Sequence, residues 1–113
     1  RQRQMCIRDR NYIMSKYVSI ITVTYINSSE AIASQALAEN MMEKIALDNG
    51  CDRVRCYLSG EVTRLIIFEY NEETIQKKVI DALKDYTEIH KNAFTHKMTS
   101  VRGKLLSDTH VKQ

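Results

Sequence analysis

The segment KYVSIITVTYIN, Lys16 to Asn27, carries apolar side chains on both faces of what its β-branched and aromatic composition makes a strand. Side chains alternate across a strand. Tyr17, Ile21, Val23 and Tyr25 therefore point one way and Val18, Ile20 and Ile26 the other, with Thr22 and Thr24 interspersed. The later segment Val62 to Tyr70 divides likewise, with Leu65 and Ile67 against Ile66, Phe68 and Tyr70. An antiparallel sheet with one face in water alternates apolar with polar residues, and these strands do not. Both faces need a cover.

The order of elements decides which covers the chain can supply. Asn27 stands three residues before Glu30, a capping-box-like helix start, and the helix runs from Ser28 without a breaker until Asn49-Gly50 supplies a left-handed stop. Leu37, Met41 and Ile45 recur every four positions along it, with Gln35, Glu39 and Glu43 opposite, and its five alanines point to close packing against a sheet. Arg53–Leu58 and Val62–Tyr70 flank Ser59-Gly60 and read as a hairpin. Asn71 is placed to cap a second helix, with Glu72 and Glu73 in its first turn. On that helix Ile75, Val79, Ala82, Leu83 and Tyr86 share one stripe. Thr87 to Phe94 reads as a looser stretch, Thr95 to Leu106 as a weaker fourth strand, and 107–113 as a frayed tail.

The result is β-α-β-β-α-β, an α+β, ferredoxin-like arrangement with a four-stranded antiparallel sheet and both helices on one face. The other face then lacks a cover of its own. The economical answer is a homodimer, sheet against sheet.

Charge turns on the first ten residues, RQRQMCIRDR. The chain has seventeen Lys and Arg against fourteen Asp and Glu; without these ten, thirteen stand against thirteen. A basic arm for nucleic acid is a poor reading, because the neutral remainder offers no basic face for it to extend. A secretory signal fails as well, since the apolar stretch is only Met5-Cys6-Ile7. The decapeptide resembles translated sequencing-adapter DNA. Residues 1–13 are accordingly set aside as a non-native or disordered leader, and 14–106 is read as one domain. No apolar run approaches the roughly 18 residues of a membrane span, and the cytoplasm is the expected compartment. Cys51 and Cys56 are five apart along an apparent strand, which puts them on opposite faces as free thiols, and no metal spacing is present.

The element order, together with the passage Asn49-Gly50 through CDRVRCYLSGEVTRLIIFEYNEET, resembles the dimeric α+β barrel superfamily, the group that includes antibiotic-biosynthesis-type monooxygenases. The likeness covers roughly Lys16 to Leu106. Glu69 ahead of Asn71-Glu72-Glu73 resembles the family's junction between strand and short helix. Tyr70 and Asn71 stand where such members usually carry an aromatic, often tryptophan, and the chain has no Trp. The resemblance implies cofactor-independent chemistry on, or binding of, a small apolar or aromatic molecule in a pocket between sheet and helices. A non-catalytic ligand- or partner-binding module is the alternative from a different class.

Individual residues carry less. His90 extends the second helix's apolar stripe if that helix continues past Tyr86, a place suited to a general base or an axial haem ligand. The ordinary alternative is a core-edge histidine bonded to backbone. His96, at the start of the last strand, reads as a solvated loop residue. Tyr25, Tyr57, Phe68 and Tyr70 are candidates to line the pocket, with stacking surface and hydroxyls for a phenolic or enolic ligand. Arg53 and Arg55 share a strand face with Tyr57 and suit a charged edge. Arg64 and Arg102 each interrupt an apolar strand, either as pocket anchors or, the favoured reading, as interface partners of Glu69 or Glu61. Strand three, TRLIIFEY, lacks the Gly-Phe pattern of an RNA-binding sheet, so nucleic acid is not expected.

Overall fold

The computed structural model describes residues 15–111, so the leader 1–13 lies outside it. Strand β1 (Tyr17–Tyr25) leads into helix α1 (Ser28–Leu37), a π-helical turn (Ala38–Met42) and α2 (Glu43–Asp48). Strands β2 (Arg53–Ser59) and β3 (Thr63–Tyr70) form the hairpin; α3 (Glu73–Ala82), α4 (Lys84–Ala93) and β4 (His96–Lys104) follow. The sheet is antiparallel throughout, in the order β2-β3-β1-β4. This is the ferredoxin-like α+β arrangement expected from the sequence. No helix of the described residues is long and apolar enough to cross a membrane.

Local chemistry explains most boundaries. Asn27 caps α1, its Oδ1 accepting from the Glu30 amide at 2.9 Å. Glu30 does not close the capping box; its carboxylate accepts from the Thr95 amide at 3.0 Å and ties the start of α1 to the approach to β4. Gly50 ends α2 at φ +103°, a conformation that favours glycine, and an added Cβ would also press on Ile75 Cδ1 at 2.9 Å. Asn71 does not cap α3. The N-cap is Glu72, without a side-chain cap bond.

The long first helical segment packs through a line other than the expected Leu37-Met41-Ile45 stripe, which is only half-buried. Ala31, Ser34, Ala38, Met42 and Ala46 are the fully covered positions. From Ser34 onward the spacing is four residues, which drifts by about 40° per step in an ideal helix. The wider π-turn absorbs that drift and holds Ala38, Met42 and Ala46 on the sheet.

The second helical segment also departs from expectation. Thr87 to Ala93 is helical, within α4, and the break comes earlier, at Leu83 (φ −90°, ψ 7°). Nothing in Ala82-Leu83-Lys84 disfavours a helix by propensity. The bend redirects α4 so that Tyr86 and His90, one turn apart, are both buried.

The two strand faces separate as the alternation requires. Ser19, Val23, Tyr25, Arg64, Ile66, Phe68 and Tyr70 are buried under the helices. On the opposite face the register sets Ile20 between Ile67 and Val101, with Tyr57 beside Leu65, and no helix of the described residues lies over them. Val101 is 61% exposed and Tyr57 46%. At one end of this face Arg53 and Arg55 both pair with Glu69, at 3.3 and 2.6 Å. Cys51 precedes β2 and is buried; Cys56 lies within it, and both are free.

Candidate functional site

Between the helical layer and the β4 side of the sheet lies an apolar cavity of about 370 Å³, within the size range of small-ligand sites. Ile21, Val23, Ile66 and Phe68 form its floor. Val79, Ile80 and Leu83 wall it from α3, and Met98 closes it from β4. One end is aromatic, with Tyr86, His90 and His96; the other holds Ser19, Tyr70, Gln76 and Arg102. β4 is the reason the cavity opens to solvent. Among the described residues nothing pairs with its outer edge, and Met98 is 53% exposed.

The aromatic end rests on a buried hydrogen-bond chain. The guanidinium of Arg64, only 2% exposed, donates from Nη1 to the Tyr25 hydroxyl at 2.9 Å and to Ser34 Oγ at 2.9 Å. The Tyr25 oxygen lies 2.7 Å from His90 Nε2. Arginine can only donate, so Tyr25 accepts from it and turns its own hydrogen to Nε2, the acceptor within reach. With the bond assigned in that direction, His90 carries its proton on Nδ1. His96 packs edge-on to His90 with ring centroids 4.5 Å apart, its own Nδ1 donating to the Phe94 carbonyl at 2.9 Å.

Electrostatics agree with a neutral His90. Burial, then the neighbouring His96 and Arg64, hold its pKa down to about 4. Burial likewise pushes Tyr86 up to about 12, although the Arg64 cation works against it. Neither group is charged near pH 7. The cavity presents hydroxyls and an imidazole N–H on apolar walls.

The residues singled out in the sequence divide accordingly. Phe68 and Tyr70 line the cavity, Tyr25 sits beneath its aromatic end, and Arg102 reaches its polar end, where Nη1 donates to Gln76 Oε1 at 2.7 Å. Tyr57 does not belong there. It projects from the opposite sheet face and accepts from Arg55 at 3.2 Å. Arg64 is no interface partner of Glu69 or Glu61, because even-numbered β3 positions face the helices; Glu69 is taken by Arg53 and Arg55. His96 is a cavity residue rather than a solvated one. Sequence reasoning passed over Ser34, whose signal was a lone hydroxyl in an alanine-rich helix, and Tyr86, read only as part of an apolar stripe. As a general base His90 is poorly set, since its acceptor nitrogen is committed to Tyr25. The Tyr25 hydroxyl also stands 2.7 Å from Nε2, where an axial haem ligand would need its lone pair open, which argues against a fit to haem.

No family model matches this sequence, and no curated protein does. Solved structures do resemble it. A monooxygenase from the ActVA-Orf6 gene of Streptomyces coelicolor, solved with nanaomycin D, is 10% identical with a TM-score of 0.73, over 87% of this chain and 94% of the other. A dimeric ferredoxin-like protein from an uncultured marine organism is 12% identical with a TM-score of 0.71, over the same shares. A Caulobacter crescentus CB15 protein provisionally described as an antibiotic biosynthesis monooxygenase is 11% identical, TM-score 0.67, over 86% and 96%. At such identities the likeness is one of fold, and the fold is that of dimeric ferredoxin-like and antibiotic-biosynthesis-monooxygenase-type proteins.

The His90 environment makes stability depend on pH. The folded pKa near 4 lies below the usual 6.5, so between those values the unfolded chain binds the extra proton. Stability is present above pH 6.5 and falls as pH drops towards 4, by about 3 kcal/mol across the window. Urea melts of wild type and His90→Gln at intervals from pH 7 to 4 should show a slope in wild type that is flattened in the variant.

Proposed function

We propose that this chain is a homodimer that takes a small aromatic or polyketide-like molecule into the helix-side cavity and stabilises the anion of a ring oxygen there. The observation that carries the reading is the Arg64–Tyr25–His90 chain, which leaves the Nδ1–H of a neutral imidazole as the polar group at the aromatic end of an apolar site. A donor held in place in a dry site favours a phenolate or enolate over its protonated form. Such electron-rich anions react with dioxygen directly, so the reading needs no cofactor. The likeness in fold to a monooxygenase solved with nanaomycin D supports it by analogy. Homodimerisation is supported by the uncovered apolar sheet face and by the dimeric marine neighbour. Two free thiols suit a reducing compartment such as the cytoplasm.

The reading is tested with 2-naphthol, whose ionisation is visible by absorbance. Bound 2-naphthol should ionise about 1–2 pH units lower on wild type than on His90→Phe, the difference expected of one charge-assisted hydrogen bond. Equal values would remove His90 from the role, and failure of either protein to bind would remove the cavity. Saturable binding with no oxygen uptake by any phenol or enol would leave the non-catalytic binding module. Light scattering on Met14–Gln113 should give twice the monomer mass; a monomer would sink the sheet-against-sheet assembly.

A further inference from the structure

The polar end of the cavity adjoins a second lobe of about 360 Å³, bounded by Tyr17, Glu73 and Lys104. Ser19, Tyr70, Gln76 and Arg102 line both spaces, so the two adjoin across these four side chains. The junction is rich in donors. Arg102 has five N–H groups and spends one on Gln76 Oε1, which leaves the Gln76 amide NH₂ free as well. Tyr70 donates to Ser19 Oγ at 3.3 Å, so the Ser19 hydroxyl keeps its own hydrogen for another partner. The Gln76 acceptor is already taken. Among the residues lining the second lobe, the charged groups are Arg102 and Lys104 against Glu73.

From this imbalance we infer that the second lobe is a carboxylate subsite, and that the natural ligand is an aromatic acid whose ring oxygen lies at His90 and whose carboxylate is held by Arg102. A guanidinium matches a carboxylate in plane and in spacing, which a lysine ammonium does not. The arrangement selects by length and charge together, because the ring and the acid must reach into the two adjoining spaces. The inference rests on the cavity's being a ligand site, and its test separates the two claims.

Titrate wild type with 6-hydroxy-2-naphthoate, its methyl ester and 2-naphthol at pH 7.5, then repeat with Arg102→Gln and Arg102→Lys. Wild type should bind the acid about tenfold tighter than the ester, a margin that shrinks with added salt. Arg102→Gln should abolish that margin, read as the acid-to-ester ratio within the same variant, and Arg102→Lys should keep only part of it. Arg102 lies on the exposed edge strand, so neither change threatens the core. Equal binding of acid and ester by wild type would overturn the subsite while 2-naphthol binding keeps the cavity. So would a margin that survives in Arg102→Gln. Binding of none of the three would end both claims.

Discussion

One buried guanidinium organises this molecule. Arg64 projects from β3 into the helical layer with no carboxylate paired to it among the described residues, and its Nε has no partner. A charge so placed persists only where enough acceptors compensate for its lost hydration. Tyr25 on β1 and Ser34 on α1 provide them, and through Tyr25 the bond chain reaches His90 on α4. Four elements are thus tied to one side chain. The same chain bears on the chemistry at the aromatic end, because Arg64 can only donate to Tyr25 and the Tyr25 hydroxyl then has His90 Nε2 as the acceptor within reach.

The second constraint is the two-faced sheet. Helices cover one apolar face and build the cavity there, while the other, with Ile20, Ile67 and Val101 in register, has no cover among the described residues. In the proposed assembly, dimerisation and ligand binding would use opposite faces of the same strands. The edge strand β4 serves both, contributing Val101 to one face and Met98 and Arg102 to the other.

Much of the fold was legible because alternation, caps and glycine stops are local. Strand parity put Ile66, Phe68 and Tyr70 together on one face, which the structure sets under the helices, and Asn27 and Gly50 marked helix ends. Parity also said that Arg64 shares a face with Ile66 and Phe68, yet a buried arginine without a carboxylate runs against expectation and was assigned to an interface. The site was harder to read because it depends on pairs far apart in sequence. Tyr25 and His90 are 65 residues apart, Arg64 and Ser34 thirty. The bend at Leu83, which brings Tyr86 and His90 inward, leaves no mark in a segment of good helix formers. His96 looked like a loop residue since nothing local says that its ring packs on His90.

The account stands or falls on which nitrogen of His90 carries the proton. Long-range ¹⁵N–¹H correlation spectra of the imidazoles, recorded at pH 7 on wild type and Tyr25→Phe, read this directly. Wild-type His90 should be neutral with its proton on Nδ1 and an unprotonated, hydrogen-bonded Nε2, and removing the Tyr25 hydroxyl should release that preference. A proton on Nε2 in wild type, or a cationic ring, would contradict the direction of the Arg64–Tyr25–His90 chain and the role drawn from it.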